Sequence, residues 1–177
     1  MTLAPTHPST QNSLERPQTQ TGFWKQYLIA LVIAQAIGGV GAVTTELGPW
    51  YRSLNKPWWQ PPDWLFGPAW TAIFALTAAS AVYAWRSTDS KPARENIILL
   101  FLTNGVFNIL WSALFFRFKR PDWALIEVGA LWASVLIPIL VLSRYSKKAA
   151  WFLVPYISWV TFAGILNYKI VQLNPVP

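Results

Sequence analysis

Tryptophan and asparagine are the residue types in this chain best suited to chemistry, because the usual catalytic and metal-binding types are scarce. The 177 residues include twelve tryptophans, no cysteine and one histidine, His7. Thiol catalysis, disulfides and thiolate metal sites are therefore excluded, and the single histidine lies in a polar amino-terminal segment, away from the apolar segments. No hydrolytic triad or pair of catalytic acids is evident. The chemistry that remains is stacking of a flat apolar molecule on indole faces, aided by side-chain amides.

The densest group of these residues lies in the segment 50–70, which reads WYRSLNKPWWQPPDWLFGPAW. Its four prolines fix backbone angles, remove hydrogen-bond donors and push the preceding residues away from helix. We therefore predict a stiff, extended loop over 46–65, followed by a helix that starts at Gly67-Pro68. An interfacial tryptophan belt remains an open interpretation for any single ring. For the set we favour a lid over the mouth of a pocket.

Three apolar segments carry stripes of flat side chains with an amide or hydroxyl group at helical spacing. An amide that faces lipid is costly, so the asparagines are expected to point inward. There they bind a ligand or only join helices, and both interpretations stay open. The stripes are Trp70, Phe74, Thr77 and Ala81; Asn104, Asn108, Trp111 and Phe115; and Tyr156, Trp159, Ala163 and Asn167.

A single acid lies inside another apolar segment, where Glu127 follows Trp123 by one helical turn. A carboxyl group at that depth marks either a functional site or a partner inside the protein. We favour a structural ion pair with Arg117 or Arg120 of the preceding loop.

The elements that position these residues are five apolar segments in one membrane domain, 22–177, after a disordered polar leader, 1–21. Hydrophobic residues make up 54% of the chain and charged residues 12%, whereas soluble proteins carry about 25% charged residues. The segments are long enough to span a bilayer as helices and lack the alternation of a membrane barrel. We predict an all-α membrane protein, a five-transmembrane-helix bundle. Its helices cover about 24–45, 66–85, 96–116, 122–142 and 149–173, and Ala34, Gly38 and Ala42 give the first a small-residue face for close packing.

The net charge of +7 comes from basic residues beside the apolar segments, so we expect contact with membrane lipid and none with nucleic acid. Five spans place the termini on opposite sides. The fourteen Lys and Arg residues divide eight to six, which slightly favours a cytoplasmic amino terminus. The eight are Arg16, Lys25, Arg86, Lys91, Arg94, Arg144, Lys147 and Lys148; the six are Arg52, Lys56, Arg117, Lys119, Arg120 and Lys169.

Over about 24–174 the chain resembles the TspO, or translocator protein, family, also called the peripheral-type benzodiazepine receptor family. Many positions at fixed spacings carry the resemblance. They are W-Y-x-x-L-x-K-P-x-W-x-P-P-x-W-x-x-G-P-x-W from Trp50 to Trp70, N-x-x-W-x-x-x-F-F from Asn108, W-A-L from Trp123, and P-Y-x-x-W-x-x-x-A-x-x-L-N from Pro155.

The resemblance implies a commonly dimeric five-helix bundle with a pocket among helices one, two, four and five, closed by the first loop. It implies porphyrins, haem and other tetrapyrroles, sterols, and isoquinoline and benzodiazepine drugs as ligands. By position it assigns Trp50, Trp70, Trp159 and Ala163 to the pocket and Pro57, Trp59, Pro61 and Pro62 to the lid. To the pocket we add Phe74, Asn108, Trp111, Trp123, Tyr156 and Asn167.

One departure from the family's animal members concerns sterols. Their cholesterol-recognition motif separates a tyrosine from a basic residue, whereas Tyr168 and Lys169 are adjacent here and no basic residue follows. Such motifs are weak evidence in any case. The departure favours a bacterial-type tetrapyrrole ligand over a sterol.

We therefore predict a membrane protein that binds haem, protoporphyrin or a bilin and transports, buffers or senses it, in a stress response, as a homodimer without a required cofactor or metal. Arg52 and Lys56 of the lid are expected to meet the ligand's propionates. The first alternative is an enzyme that degrades porphyrin in light, with Trp70 and Trp159 as redox partners. A sterol- or lipid-binding transporter is the second. A channel is disfavoured, because no span carries a row of polar residues.

Overall fold

The computed structural model describes residues 20–174, with side chains from residue 22 onward. Every regular element in that range is helical, which confirms the predicted all-α class. Five segments are long and apolar enough to cross a membrane, also as predicted. The elements are α1 (Gln20–Thr44), α2 (Pro49–Ser53), α3 (Asp63–Arg86), α4 (Lys91–Ser112), a π-helical turn (Ala113–Arg117), α5 (Pro121–Leu142), α6 (Lys147–Phe152) and α7 (Val154–Leu173).

The predicted leader lies outside the described residues, except that Gln20 and Thr21 already belong to α1. The third span begins at Lys91, five residues earlier than predicted, because Pro92 is compatible with a first helical turn. The fifth span consists of α6 and α7, which meet at Leu153. Pro155 lies in the first turn of α7, where a missing backbone N–H costs nothing.

The segment between the first two spans is more helical than its prolines predict. Pro49 opens the short helix α2, and α3 begins at Asp63, directly after Pro62. The predicted loop over 46–65 is therefore interrupted by α2 and ends at Pro62, and the predicted helix start at Gly67-Pro68 is wrong. A proline is tolerated at a helix start because the first N–H groups have no helical partner, and an acid there is favoured by the helix dipole.

Two of the three predicted small residues, Ala34 and Gly38, form the packing face of α1 on α3, whereas Ala42 is exposed and lines the cavity described below. Gln35 Nε2 donates to the Thr71 carbonyl at 3.2 Å, which fixes the antiparallel register of the two helices. A Cβ on Gly38 would lie 2.3 Å from Phe74 Cε2, so only glycine fits there. Ala34 is buried on the same face.

The helix α5 packs between α4 and α7, on the side of the bundle away from α1. Asn104 Nδ2 donates to Ser134 Oγ at 2.9 Å, which joins α4 to α5. Asn167 joins α7 to α5, because its amide is satisfied when Nδ2 donates to Pro121 O and Oδ1 accepts from Leu125 N, both at 3.0 Å. The three asparagines Asn104, Asn108 and Asn167 are all buried, as predicted.

One end of the bundle, which we call the closed end, is densely packed where α3, α5 and α6 meet. Ser80 Oγ donates to the Ala149 carbonyl at 2.7 Å. Ala84, Leu142 and Ala149 are fully buried there. Small side chains on α3 thus bring α6 into backbone contact.

Candidate functional site

A cavity of about 570 Å³ lies at the opposite end of the bundle, between α1, α3, α4 and α7. We call this the cavity end. The volume falls within the roughly 300–1,000 Å³ of typical small-molecule sites. Its wall is rich in aromatic side chains: four tryptophans, Trp64, Trp70, Trp111 and Trp159, three phenylalanines, Phe66, Phe74 and Phe116, and Tyr51.

The rings of this wall hold one another in place. Trp70 stacks on Phe74 with centroids 5.5 Å apart and meets Trp159 edge to face at 6.5 Å. Trp159 in turn meets Phe66 edge to face at 5.7 Å. Because each ring is fixed by a neighbour, the wall offers preformed apolar faces for a flat molecule.

A few polar groups are placed among these rings. Asn108 Nδ2 donates to the Tyr156 hydroxyl at 3.1 Å, so the Asn108 carbonyl oxygen is left to face the cavity side. That oxygen and Ser112 Oγ lie 3.7 and 3.6 Å from where a Cβ on Gly41 would stand. The cavity therefore combines broad apolar faces with a small number of hydrogen-bonding groups.

The loop closes one side of the cavity through a hydrogen-bonded cluster of Tyr51, Gln60 and Asp63. The Tyr51 hydroxyl donates to Asp63 Oδ1 at 2.8 Å, and Gln60 Nε2 donates to the Tyr51 hydroxyl at 3.2 Å. Burial, and then the bond to Asp63, raise the pKa of the Tyr51 hydroxyl above its ordinary value. Lys56 Nζ lies 3.5 Å from the centroid of the Tyr51 ring.

The cavity is open along α1, α3 and the loop that joins them. The lining residues of α4 and α7 are buried or half-buried, whereas the exposed ones are Gly39 and Ala42 on α1, Leu47 in the loop, and Asp63, Trp64, Gly67 and Thr71 on α3. A Cβ on Gly39 or Gly67 would meet no atom within 4 Å.

The structure brings six of the predicted ligand-binding residues together in the cavity wall. Tyr156 lies just behind them, with its hydroxyl on Asn108 and its ring 5.8 Å from Trp70. The six that line the cavity are Trp70, Phe74, Asn108, Trp111, Trp159 and Ala163.

Three other predicted ligand-binding residues lie elsewhere. Trp50 packs edge to face on Phe115 at 6.1 Å. Trp123 is 50% exposed and lies under the Arg120 guanidinium, 4.3 Å from its ring centroid. The amide of Asn167 is hydrogen-bonded to the backbone of α5. All three buried asparagines thus join helices, and of the three only Asn108 also lines the cavity.

The predicted lid residues do not line the cavity. Arg52 is exposed, and Trp59 packs on Phe162 at 5.9 Å. The loop instead reaches the cavity through Trp64, which belongs to the predicted set of loop tryptophans, and through Leu47, Tyr51 and Asp63, which carry no prediction. One signal was available, since Asp63 is the only acid in the segment 50–70. The six predicted lid residues are Arg52, Lys56, Pro57, Trp59, Pro61 and Pro62.

The spans that form the walls also differ from those that the resemblance implied. Residues of α4 and of the π-helical turn line the cavity, and α5, the fourth span, contributes none of the lining residues among those described. The reason is the position of α5 beyond α4 and α7. Phe116 rather than Phe115 lines the cavity, because the π-helical turn, closed by the bond from Phe118 N to Ala113 O, interrupts the regular helical spacing.

The predicted ion pair of Glu127 is wrong. Arg117 Nη1 pairs with Glu46 Oε1 at 2.8 Å, and Arg120 Nε donates to Asp122 Oδ1 at 2.8 Å. Both arginines thus have a carboxylate beside them outside the bundle. Glu127 is 8% exposed, and neither of its carboxyl oxygens has a partner among the described residues.

Comparison with known proteins gives one consistent result. The chain matches the TspO/MBR family over residues 28–173. It is 37% identical over 150 residues to Tryptophan-rich protein TspO of Chlorobaculum tepidum, which covers 83% of this chain and 94% of that one. It is 32% identical over 151 residues to the Tryptophan-rich sensory protein of Cereibacter sphaeroides, and the aligned residues cover 85% of this chain and 92% of that protein. It is also 31% identical over 153 residues to the Translocator protein of Bos taurus, and the aligned residues cover 84% of this chain and 90% of that protein.

Proposed function

We propose that the chain binds a tetrapyrrole in the membrane and transports, buffers or senses it, and the premise is its family: it belongs to the TspO/MBR family. It is an integral, multi-pass membrane protein. Two relatives are named as a sensory protein and a translocator protein, which supports sensing or transport as the general role.

The observation that carries the proposal is the aromatic cavity. A tetrapyrrole is broad, flat and apolar, and the faces of Trp70, Trp111 and Trp159 are suited to such a molecule. Each aromatic pair contributes about 0.5–1.5 kcal/mol beyond simple burial. The amide of Asn108 adds a point of orientation. The ligand is held by its faces, without a cofactor.

Titration of the purified protein with haem, protoporphyrin, a bilin and cholesterol tests the proposal, with tryptophan quenching as the signal. We expect saturable binding of a tetrapyrrole, weakened roughly 2- to 10-fold in Trp70→Phe or Trp159→Phe. Trp151→Phe is the matched control, because Trp151 is 71% exposed on α6. Saturable binding of cholesterol alone would favour the sterol alternative, and no binding of any tetrapyrrole would refute the proposal.

A porphyrin-degrading activity is the second candidate, favoured by the contact between two oxidisable rings at the cavity. Trp70 lies between Trp159 and Tyr156, with centroid distances of 6.5 and 5.8 Å. The test is to illuminate the porphyrin complex with dioxygen as the oxidant. A linear tetrapyrrole product that is lost in Trp159→Phe, at saturating porphyrin, supports an enzyme. Unchanged porphyrin supports binding alone.

We further propose a homodimer with a cytoplasmic amino terminus. The orientation follows from the eight-to-six distribution of basic residues across the five spans. Reporters fused to each terminus test it, and a carboxy-terminal reporter active in the cytoplasm would contradict it. The mass of the protein in detergent, measured by light scattering, tests the dimer.

A further inference from the structure

The charge of the cavity wall is opposite to what an anionic ligand requires. Among the described residues that line the cavity, Asp63 is the only charged one. Two cations lie nearby without lining the cavity: Lys56 lies over the ring of Tyr51, behind the wall, and Arg117 is paired with Glu46. A free tetrapyrrole carries two propionates, so its carboxylates would approach a wall of the same sign.

The carboxylate of Asp63 is fixed in this position. Its Oδ1 accepts from the Tyr51 hydroxyl at 2.8 Å and from Gln60 Nε2 at 3.4 Å. It lies in the first turn of α3, where the helix dipole favours a negative charge. The raised pKa of Tyr51 keeps that hydroxyl a donor. The ion pairs found among the described residues do not include Asp63, so no cation within salt-bridge distance neutralises it.

We infer that Asp63 is a specificity-determining residue. Its negative charge makes the cavity bind flat ligands more tightly when the part of the ligand beside Asp63 is uncharged than when that part carries a carboxylate. The inference rests on the proposed tetrapyrrole function and refines it. The preferred ligand is a tetrapyrrole whose carboxyl groups are esterified or directed out of the cavity. Asp63 acts on the ligand through charge, and its hydrogen-bonded neighbours hold that charge in place.

Protoporphyrin and its dimethyl ester form the appropriate pair of probes, since they share one ring and differ in two negative charges. Each is titrated into the full-length protein in the same detergent at neutral pH. The two porphyrins partition differently into micelles, so their dissociation constants are not compared directly. The decisive quantity is the change in the dissociation constant of each porphyrin caused by Asp63→Asn. We expect Asp63→Asn to tighten binding of the diacid about three- to tenfold, as removal of a like charge at close range implies, and to leave the ester within about twofold.

Glu46→Gln is the matched control, because it removes one negative charge from the same region without touching the cavity wall. It is expected to change neither affinity by more than about twofold at moderate salt. Equal effects of Asp63→Asn and Glu46→Gln, or no effect of either on the diacid, would overturn the inference and leave the proposed function standing. Failure of both porphyrins to bind the unmodified protein would instead overturn the proposed function, and the inference with it.

Asp63→Asn keeps an acceptor oxygen for Tyr51, so the cluster is expected to persist. Tyr51→Phe provides a second test that leaves the charge in place. If Asp63 acts through its charge, Tyr51→Phe alters diacid affinity less than Asp63→Asn does. If Tyr51→Phe reproduces the full effect, the cluster acts through loop structure and the assignment to Asp63 is wrong.

Discussion

The two ends of the bundle differ in how closely the same helices approach. At the closed end, small side chains on α3 let the backbone of α6 approach, and Ser80 bonds directly to the Ala149 carbonyl. At the cavity end, large rings such as Trp70 and Trp159 separate α3 from its neighbours. Side-chain size along one helix thus decides where the bundle is solid and where it is hollow.

Truncation of a buried side chain should lower the free energy of unfolding most at the closed end. Leu142→Ala removes a fully buried side chain and is expected to lower the free energy of unfolding by about 2–5 kcal/mol. Leu47→Ala, at the exposed rim of the cavity, should cost less than about 1 kcal/mol. Reversible unfolding in mixed micelles measures both. Equal losses would show that the cavity end is packed as tightly as the closed end.

The boundary between the two ends lies at Gly38, and its neighbour provides the control. Gly38→Ala would place a methyl group against the Phe74 ring and is expected to cost about 1–3 kcal/mol. Gly39→Ala should be neutral or stabilising by up to about 1 kcal/mol, because alanine favours helix and the site is open. Thermal unfolding in detergent distinguishes them. A stable Gly38→Ala protein would mean that the two helices do not touch there.

The cavity half of the bundle also contains an unpaired buried acid. Glu127→Leu is expected to stabilise the protein by about 1–2 kcal/mol, because it removes a carboxyl group that is buried without partners. Glu127→Gln should stabilise the protein less than Glu127→Leu does, since the glutamine amide also lacks hydrogen-bond partners. A loss of stability in Glu127→Leu would show that the carboxyl group has a partner in the membrane.

The smallest effect on stability is expected at the exposed surface of the loop. Glu46→Gln breaks the exposed ion pair with Arg117 and should change stability by less than about 1 kcal/mol, with less change still at high salt. Unfolding at two salt concentrations measures it. A larger, salt-independent loss would indicate that this pair fastens the loop to the bundle.

The sequence predicts those features that depend on the solvent around each residue. Five apolar segments require helices in a bilayer, and Asn104, Asn108 and Asn167 point inward because lipid offers no hydrogen bonds. Gly38 predicts close packing of two helices, because a glycine has no side chain to hold them apart. Helical spacing also predicts much of the cavity wall, including Trp70, Phe74 and Trp159.

The features that the sequence does not predict depend on backbone geometry over several elements. The π-helical turn brings Phe116 rather than Phe115 to the cavity, and no residue type signals such a turn. Prolines at Pro61 and Pro62 are as compatible with a helix start as with an extended loop. Asp63 and Tyr51 become neighbours only once α2 and α3 are placed. Glu127 has no partner because its candidate arginines bond nearer acids, which spacing alone does not decide.

Gly39 and Gly67, at the exposed rim of the cavity, belong to two membrane spans, so a ligand dissolved among the acyl chains can reach the cavity there. The reservoir for an apolar ligand is then the bilayer. Occupancy follows the mole fraction of ligand in lipid, and an affinity expressed per volume of buffer weakens as lipid is added. Measurements in micelles and in vesicles therefore agree only after the amount dissolved in the amphiphile phase is subtracted.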